Sequence, residues 1–331
     1  MSDNRNEAEE KMAKAIFISA DCWLCVYDLL PASQLGLGIA MISHRFDFYV
    51  DEHFKTRHWT LRSMKIKMKF EADGTKEMDV VNANLESFGI TQKALPKRVV
   101  GFKAISLKYF NDNVITFLGR FRPIFAARPI NLTIDTFKDL ELILHNIWPM
   151  IATNICAIQL SVTFFHYLRK FVPSFLNDCP SLRVVNAYSY GFFAEFPCDD
   201  SANASNGQTL AKWLFTPRPD NVPKVFKCWL YMNYGKWSSR IEAFKSAFAN
   251  ASSPVNFIAI IHFPSPFGFS VVPFGLINEL TREQLTLKWM DDIGRFLLIR
   301  CPIVRDENKW AKWEKEAIGW NFMDQWNRID I

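Results

Sequence analysis

One pattern limits what this 331-residue chain can fold into: an apolar residue, any residue, then another apolar residue, recurring through its middle. It stands at Ile105/Leu107, Ile130/Leu132, Ile158/Leu160, Val185/Ala187 and, less clearly, Cys228/Leu230, with steps of 25, 28, 27 and 43 between first members. Such alternation is the period of a strand with one face inward. Stretches with helical spacing lie between the pairs: VITFLGRFRPIF, FKDLELILHNIWPMI and FFHYLRKFVPSFL. The first three steps fall in the range where a strand and a helix or turn make one structural repeat. A single such unit cannot bury its own faces, so the units must stack on their neighbours. The long fourth step holds a polar loop, DDSANASNG, and a short helix, LAKWLF. A doubly wound sheet also alternates strand and helix, but its first turn is glycine-rich. No such turn is present, and the whole chain has only 13 Gly.

The flanks read differently. Residues 1–15 form a charged tail. Ser19 can cap a helix through Trp23, Val26, Tyr27 and Leu30 that ends at Pro31. Ser33 can cap a second helical stretch through Leu35, Ile39, Ile42, Phe46 and Val50, with a bend near Ser43-His44. Residues 16–60 are therefore expected to be two or three short helices, too small a unit to be stable without a partner. A basic run follows, with Arg57, Arg62, Lys65, Lys67 and Lys69 and no acid between them. Its MKIKMKF segment alternates at strand period, so the preferred reading is a solvated strand face with Met64, Ile66, Met68 and Phe70 inward. A nucleic-acid patch is the lesser alternative, since no aromatic residues interleave with the lysines. Past Pro254, VNFIAIIHF, EQLTLKWM and RFLLIRCPI read as strands joined by the turn-like NELTRE and DDIG. Asp306 can then cap a helix carrying Trp310, Trp313, Ala317 and Trp320, expected to close the open end of the repeat stack.

Several chemistries are excluded or unsupported. Apolar residues are 49% of the chain, too many for a disordered protein, and a formal net charge of +5 does not by itself imply a nucleic-acid partner. The longest apolar stretch, 255–277, is broken by Pro264, Pro266 and Pro273, so no membrane helix is expected. The charged N-terminus lacks a signal peptide's apolar core. Seven scattered cysteines suggest reduced thiols. An intracellular location, cytoplasmic or nuclear, is therefore expected. Cys22-Trp-Leu-Cys25 has no second ligand pair at zinc spacing, so no metal is assigned. Neither a nucleophile elbow nor a zinc-protease motif is present, so no catalytic residues and no cofactor are assigned.

With these helices placed, residues 18–59 resemble an F-box, with Ile18, Trp23, Val26, Leu29, Leu30, Pro31, Leu35, Ile42, Arg45, Phe46 and Trp59 in matching places. Ile18-Ser19 stands where the family usually has Leu-Pro. The remainder, most specifically the RCPI-R-DE-KW-WE-EA run near the C-terminus, looks like an expanded roundworm F-box family, over about residues 16–331. The resemblance implies a non-catalytic substrate receptor of an SCF-type (cullin-RING) ubiquitin ligase. Ile18, Trp23, Val26, Leu29, Leu30, Pro31, Leu35 and Ile42 would meet a Skp-type adaptor and, through it, a cullin. An unknown protein substrate would meet the polar positions of the repeats: Ser106, Lys108, Asn131, Thr133, Gln159, Ser161, Asn186, Lys227 and Trp229. Equally, such residues are what any solvated sheet face carries. A protein-binding module outside a ligase is the alternative function. The fold expectation is α/β, or α+β overall. F-box helices (16–60) lead into an irregular leucine-rich-repeat-like α/β solenoid (61–253), closed by a β-rich cap with a Trp-rich helix (254–331).

Overall fold

The apolar pairs become buried strands. A computed structural model describes residues 18–30, 35, 39–56, 59–61, 63–70, 76–82, 87–89, 99–107, 111–135, 140–230, 234–263, 272–291 and 294–331. Among them are ten α-helices and one large mixed sheet, a mixed α/β architecture. The chain divides into two compact units, Met1–Leu61 with Pro96–Val100, and Arg62–Leu95 with Gly101–Ile331.

In the first unit, α1 (Ala20–Tyr27) starts where Ser19 Oγ accepts the Cys22 N–H at 3.3 Å. A 3-10 turn (Ile39–Met41) precedes α2 (His44–Thr56), and the break falls at Ser43, whose Oγ accepts the Phe46 N–H at 3.4 Å. Tyr27, Leu35 and Val50 form the buried centre, with Trp23, Leu24, Leu30, Phe46 and Phe54 packed against it. Trp23 meets Phe46 edge-on with centroids 4.7 Å apart. Strands β1 (Trp59–Leu61) and β5 (Val99–Phe102) make a two-stranded sheet, and of β5 only Val99 and Val100 belong to this unit.

The second unit is organised by a thirteen-stranded sheet. Its strands are β2 (Met64–Phe70), β3 (Lys76–Asn82), β4 (Ser87–Gly89), β6 (Ala104–Leu107), β7 (Ile130–Ile134), β8 (Ile155–Leu160) and β9 (Val184–Tyr190). They continue with β10 (Lys224–Trp229), β11 (Phe257–His262), β12 (Phe274–Asn278), β13 (Glu283–Asp291), β14 (Arg295–Pro302) and β15 (Arg328–Asp330). In space the order is β12-β13-β14-β11-β10-β9-β8-β7-β15-β6-β2-β3-β4. From β2 to β11 the neighbours are parallel, and antiparallel strands finish both edges. Strands β7 to β11 lie side by side in chain order with no reversal, unlike a doubly wound sheet. The intervening helices are α3 (Asp112–Gly119), α4 (Arg122–Ala127), α5 (Leu140–Asn146), α6 (Trp148–Ile151), α7 (Val162–Phe171), α8 (Asn206–Leu214) and α9 (Tyr234–Ala249). Phenylalanine fills the space between sheet and helices: Phe102 meets Phe121 and Phe125, Phe165 meets Phe175 and Phe192, and Phe244 meets Phe193, Phe215 and Phe257.

Three features differ from expectation. First, the register aligns Leu132, not Ile130, with Ile158 and Val185, and Val185 pairs with Phe226 rather than Cys228. The repeat from Ile105 is thus Leu132, Ile158, Val185, with steps of 27, 26 and 27. Ile130 is equally buried, so hydrophobicity alone could not choose between the two registers. Second, of the last apolar pair Ile329 lies in β15, which sits between β6 and β7 and pairs in parallel with both, and Ile331 follows it, its N–H donating to the Thr133 carbonyl at 2.9 Å. Third, helix α10 (Glu307–Gly319), capped by Asp306, does not close the end of the strand stack. Trp310 and Ala317 pack across the sheet on Ala157, Val184, Val225, Ile258 and Ile299. Those strand positions are apolar on the face opposite the phenylalanine layer and need cover from water. The expected boundary at 253/254 is consequently not a division between units, because β11 continues the sheet beside β10.

Candidate interaction surfaces

The register lays the central strand positions into one row: Lys65, Ser106, Asp330, Thr133, Gln159, Asn186, Lys227 and Ile260. Five of the anticipated contact residues, Ser106, Thr133, Gln159, Asn186 and Lys227, therefore share a face and are half-buried. Asn186 Nδ2 donates to Gln159 Oε1 at 3.0 Å, which orients both amides. Lys227 Nζ donates to the carbonyls of Trp320 at 2.8 Å and Ile318 at 3.4 Å, at the end of α10. Burial and the nearby positive charge of Arg295 hold its ammonium down at about 8. Trp229, one strand step further on, is half-buried with its ring centroid 3.8 Å from that of His262.

Two anticipated contacts have other duties. Asn131 is buried and its Nδ2 donates to the Trp326 carbonyl at 2.9 Å, so it anchors the segment leading into β15. It sits in the lower row with Ala157 and Val184 rather than with Thr133. Ser161 lies past the end of β8 and is the N-cap of α7, accepting the Phe164 N–H at 3.3 Å. Lys108 lies outside the described residues. Sequence reasoning missed that 306–331 occupies part of this face. The signal was Ile329-Asp330-Ile331, another apolar-x-apolar unit.

On the first unit, apolar residues on and beside α1 divide between core and surface. Trp23, Leu24, Tyr27 and Leu30 turn into the core, while Ile18, Val26 and Leu29 stand exposed, Leu29 at 84%. Val26 lies in the helix with Cys22 and Cys25, also exposed, while Ile18 precedes its N-cap and Leu29 follows its last turn. Ile42 is 63% exposed, and Arg45, three residues later, donates Nη2 to the Ile18 carbonyl at 3.3 Å, which ties that corner to the start of α1. Leu35, expected to face a partner, is completely buried and serves the core instead. Trp23 and Leu30 are half-buried against the same core, and Pro31 lies outside the described residues.

The basic run lies partly in β2. Lys65 is exposed and Ile66 is completely buried. The antiparallel backbone register sets Lys67 opposite Asp79 and Lys69 opposite Glu77. Among the described residues no group of His, Cys, Asp and Glu is placed to hold a metal ion, and no helix is long and apolar enough to cross a membrane. Burial pushes the thiols of Cys156 and Cys179 up to about 11 and about 12, which keeps them protonated and unreactive at neutral pH.

The arrangement defines a mixed α/β protein with a helical first unit that exposes apolar side chains and a second unit built on a continuous sheet. Comparison with known protein families, with curated proteins and with solved structures found no match to this chain.

Proposed function

We propose that this chain is a substrate-receptor subunit of an SCF-type ubiquitin ligase. The first unit acts as an F-box that docks on a Skp-type adaptor. The second acts as a leucine-rich-repeat-like solenoid that holds the target protein. The observation that carries the reading is the exposed apolar set on and beside α1. The 8-residue helix and its flanks already fill a core with Trp23, Tyr27 and Leu30, and have no folding reason to present Ile18, Val26 and Leu29 to water as well. An exposed apolar set on a small helical unit suits burial against a partner helix. In this reading the adaptor meets Ile18, Val26, Leu29 and Ile42. Leu35, with Trp23 and Leu30, shapes the helix pair from within. The target meets the row Thr133, Gln159, Asn186 and Lys227 with Trp229 above it. Ubiquitin transfer belongs to other subunits, so this chain needs no catalytic residues of its own, and it works inside the cell.

The test is co-purification of the full chain with a Skp-type adaptor, comparing wild type with Val26→Asp/Leu29→Asp. Both side chains are exposed, so the double variant keeps its fold, checked by an unchanged melting temperature. Adaptor capture falls at least about a hundredfold if these side chains anchor the contact, since two buried apolar anchors supply roughly 3 kcal/mol or more. Undiminished capture by the variant, or no capture by wild type, overturns the proposal. Target proteins that persist without any adaptor would instead favour a protein-binding module outside a ligase.

A further inference from the structure

Arg300, in β14, is completely buried, yet part of its guanidinium has no partner. Nε and Nη2 donate to Glu283 Oε2 at 3.2 and 2.6 Å, and Nη2 also donates to the Ser253 carbonyl at 2.9 Å. Glu283, itself buried, uses its other oxygen to accept the Val255 N–H at 2.7 Å. The rings of Phe215 and Phe248 hold the guanidinium carbon from the sides, with centroids 5.0 and 5.3 Å away. Nη1 alone, with two N–H donors, meets no acceptor. A buried donor in that state has lost its water and received nothing in return.

Arg300 also lines a cavity of about 590 Å³, within the ~300–1,000 Å³ of small-molecule sites. Phe196, Pro197, Phe215, Ala243 and Ala247 supply rings and methyl groups to the same wall. Cys198 lines it too. Its thiol is pushed up by burial and drawn back down by Lys212 and Arg300. An apolar trough beside a guanidinium whose remaining N–H groups have no acceptor is matched by a hydrogen-bond acceptor on an apolar body. A guanidinium N–H cannot accept, so a group that only donates is rejected, and a carboxylate makes the strongest bond to it.

We propose that this cavity is a binding site for a carboxylate with an apolar tail, the carboxylate on Arg300 Nη1 and the tail along the wall of Phe196, Phe215 and Ala247. The inference does not rest on the ligase reading. The same chemistry has two sources, a free organic acid or the C-terminal carboxylate of a peptide.

The test titrates the full chain with hexanoate, hexanol, and an acetylated Ala-Leu dipeptide with a free or amidated C-terminus, read by saturation-transfer NMR and thermal shift. Hexanoate is expected to bind with a Kd of about 1 mM or tighter, and hexanol at least about tenfold more weakly. Tighter binding of the free dipeptide than of hexanoate assigns the chain end as the source, and the reverse assigns a free acid. Ala247→Phe fills the trough and leaves the Arg300–Glu283 pair untouched. Arg300→Lys keeps the charge but removes Nη1. Each is expected to weaken hexanoate at least about tenfold, with the ligand-free melting temperature of Ala247→Phe near wild type as the control for folding. Absence of hexanoate binding, equal binding of hexanol or of the amidated peptide, or undiminished binding by Ala247→Phe overturns the proposal.

Discussion

Replacing Ile329 by Ala tests whether β15 holds the sheet together. Strands β6 and β7 pair with β15 and are not neighbours of each other, so the sheet is continuous there only through residues 328–330. Ile329 is completely buried, and truncating such a side chain to Ala costs about 2–5 kcal/mol from lost transfer energy and the cavity left behind. The upper part of that range is expected, because a site walled by two strands cannot collapse into the gap. For a unit of this size about 3–4 kcal/mol corresponds to roughly 6–16 °C in melting temperature. The entry to the strand is also built in. Asn327 has φ 54, its N–H donates to the Phe102 carbonyl at 2.7 Å and its Oδ1 accepts the Phe102 N–H at 2.9 Å. Asn327→Ala therefore adds about 1–3 kcal/mol of its own by leaving that buried N–H open. Removing residues 327–331 combines these losses, on the scale of the entire stability of an ordinary domain. The assay is urea unfolding followed by tryptophan fluorescence, with amide hydrogen exchange at 104–107 and 130–134. A cost below about 1 kcal/mol for Ile329→Ala, with unchanged exchange in both strands, would refute the claim that β15 bridges them.

Further outcomes are expected elsewhere. Glu283→Ala leaves the Arg300 charge buried without its carboxylate and should cost about 3–5 kcal/mol in the same urea experiment; a cost near zero would mean that the pair is not desolvated. Lys224 is buried with its Nζ donating to the carbonyls of Trp213 and Thr216, and burial lowers its ammonium from 10.5 to about 7. Between those two values the unfolded chain binds the proton more tightly, so this group makes stability rise with pH across the window, by at most about 1.4 kcal/mol per pH unit. Unfolding at pH 7.0 and 8.5 should show a rise that is shallower in Lys224→Met, a range chosen to stay below about 9, where the raised thiols of Cys156 and Cys179 act in the opposite direction. Equal slopes in the two proteins would contradict the assignment. Gly294 has φ 79, and a Cβ there would lie 2.5 Å from the Phe263 carbonyl oxygen. Gly294→Ala should therefore lower stability by more than the ~1 kcal/mol of a strained backbone alone, and an unaffected melting temperature would argue against that turn.

Much of the candidate site could be read before folding, and its gaps have specific causes. The alternation that picks out Thr133, Gln159, Asn186 and Lys227 is a local property, and the parallel register aligned them as strand period requires. Asn131 was misassigned because two overlapping pairs, Ile130/Leu132 and Leu132/Ile134, satisfy the same pattern and only the neighbouring strand selects one. Leu35 and Leu29 are the same residue type in the same small unit, yet one is completely buried and the other almost fully exposed. Hydrophobicity marks both as needing cover and cannot say whether the cover is the chain itself or another molecule. The Arg300 cavity had no local signal at all, since its wall joins residues from 196 to 300.

By itself the sequence determined the elements and their ends. Period 2 and period 3.6 are written into neighbouring residues, and so are the caps at Ser19 and Asp306, each of which accepts an N–H from the first turn of its helix. Only the tertiary structure decided where residues 306–331 go. Trp310, Ala317, Ile329 and Ile331 announce that they must be buried, but many apolar surfaces could bury them. The one chosen had both an uncovered apolar stripe, at Ala157, Val184, Val225 and Ile258, and a slot between β6 and β7 with backbone groups to pair. The hydrophobic effect has no direction, whereas a strand's hydrogen bonds do, and their combination exists only once the rest of the sheet has formed.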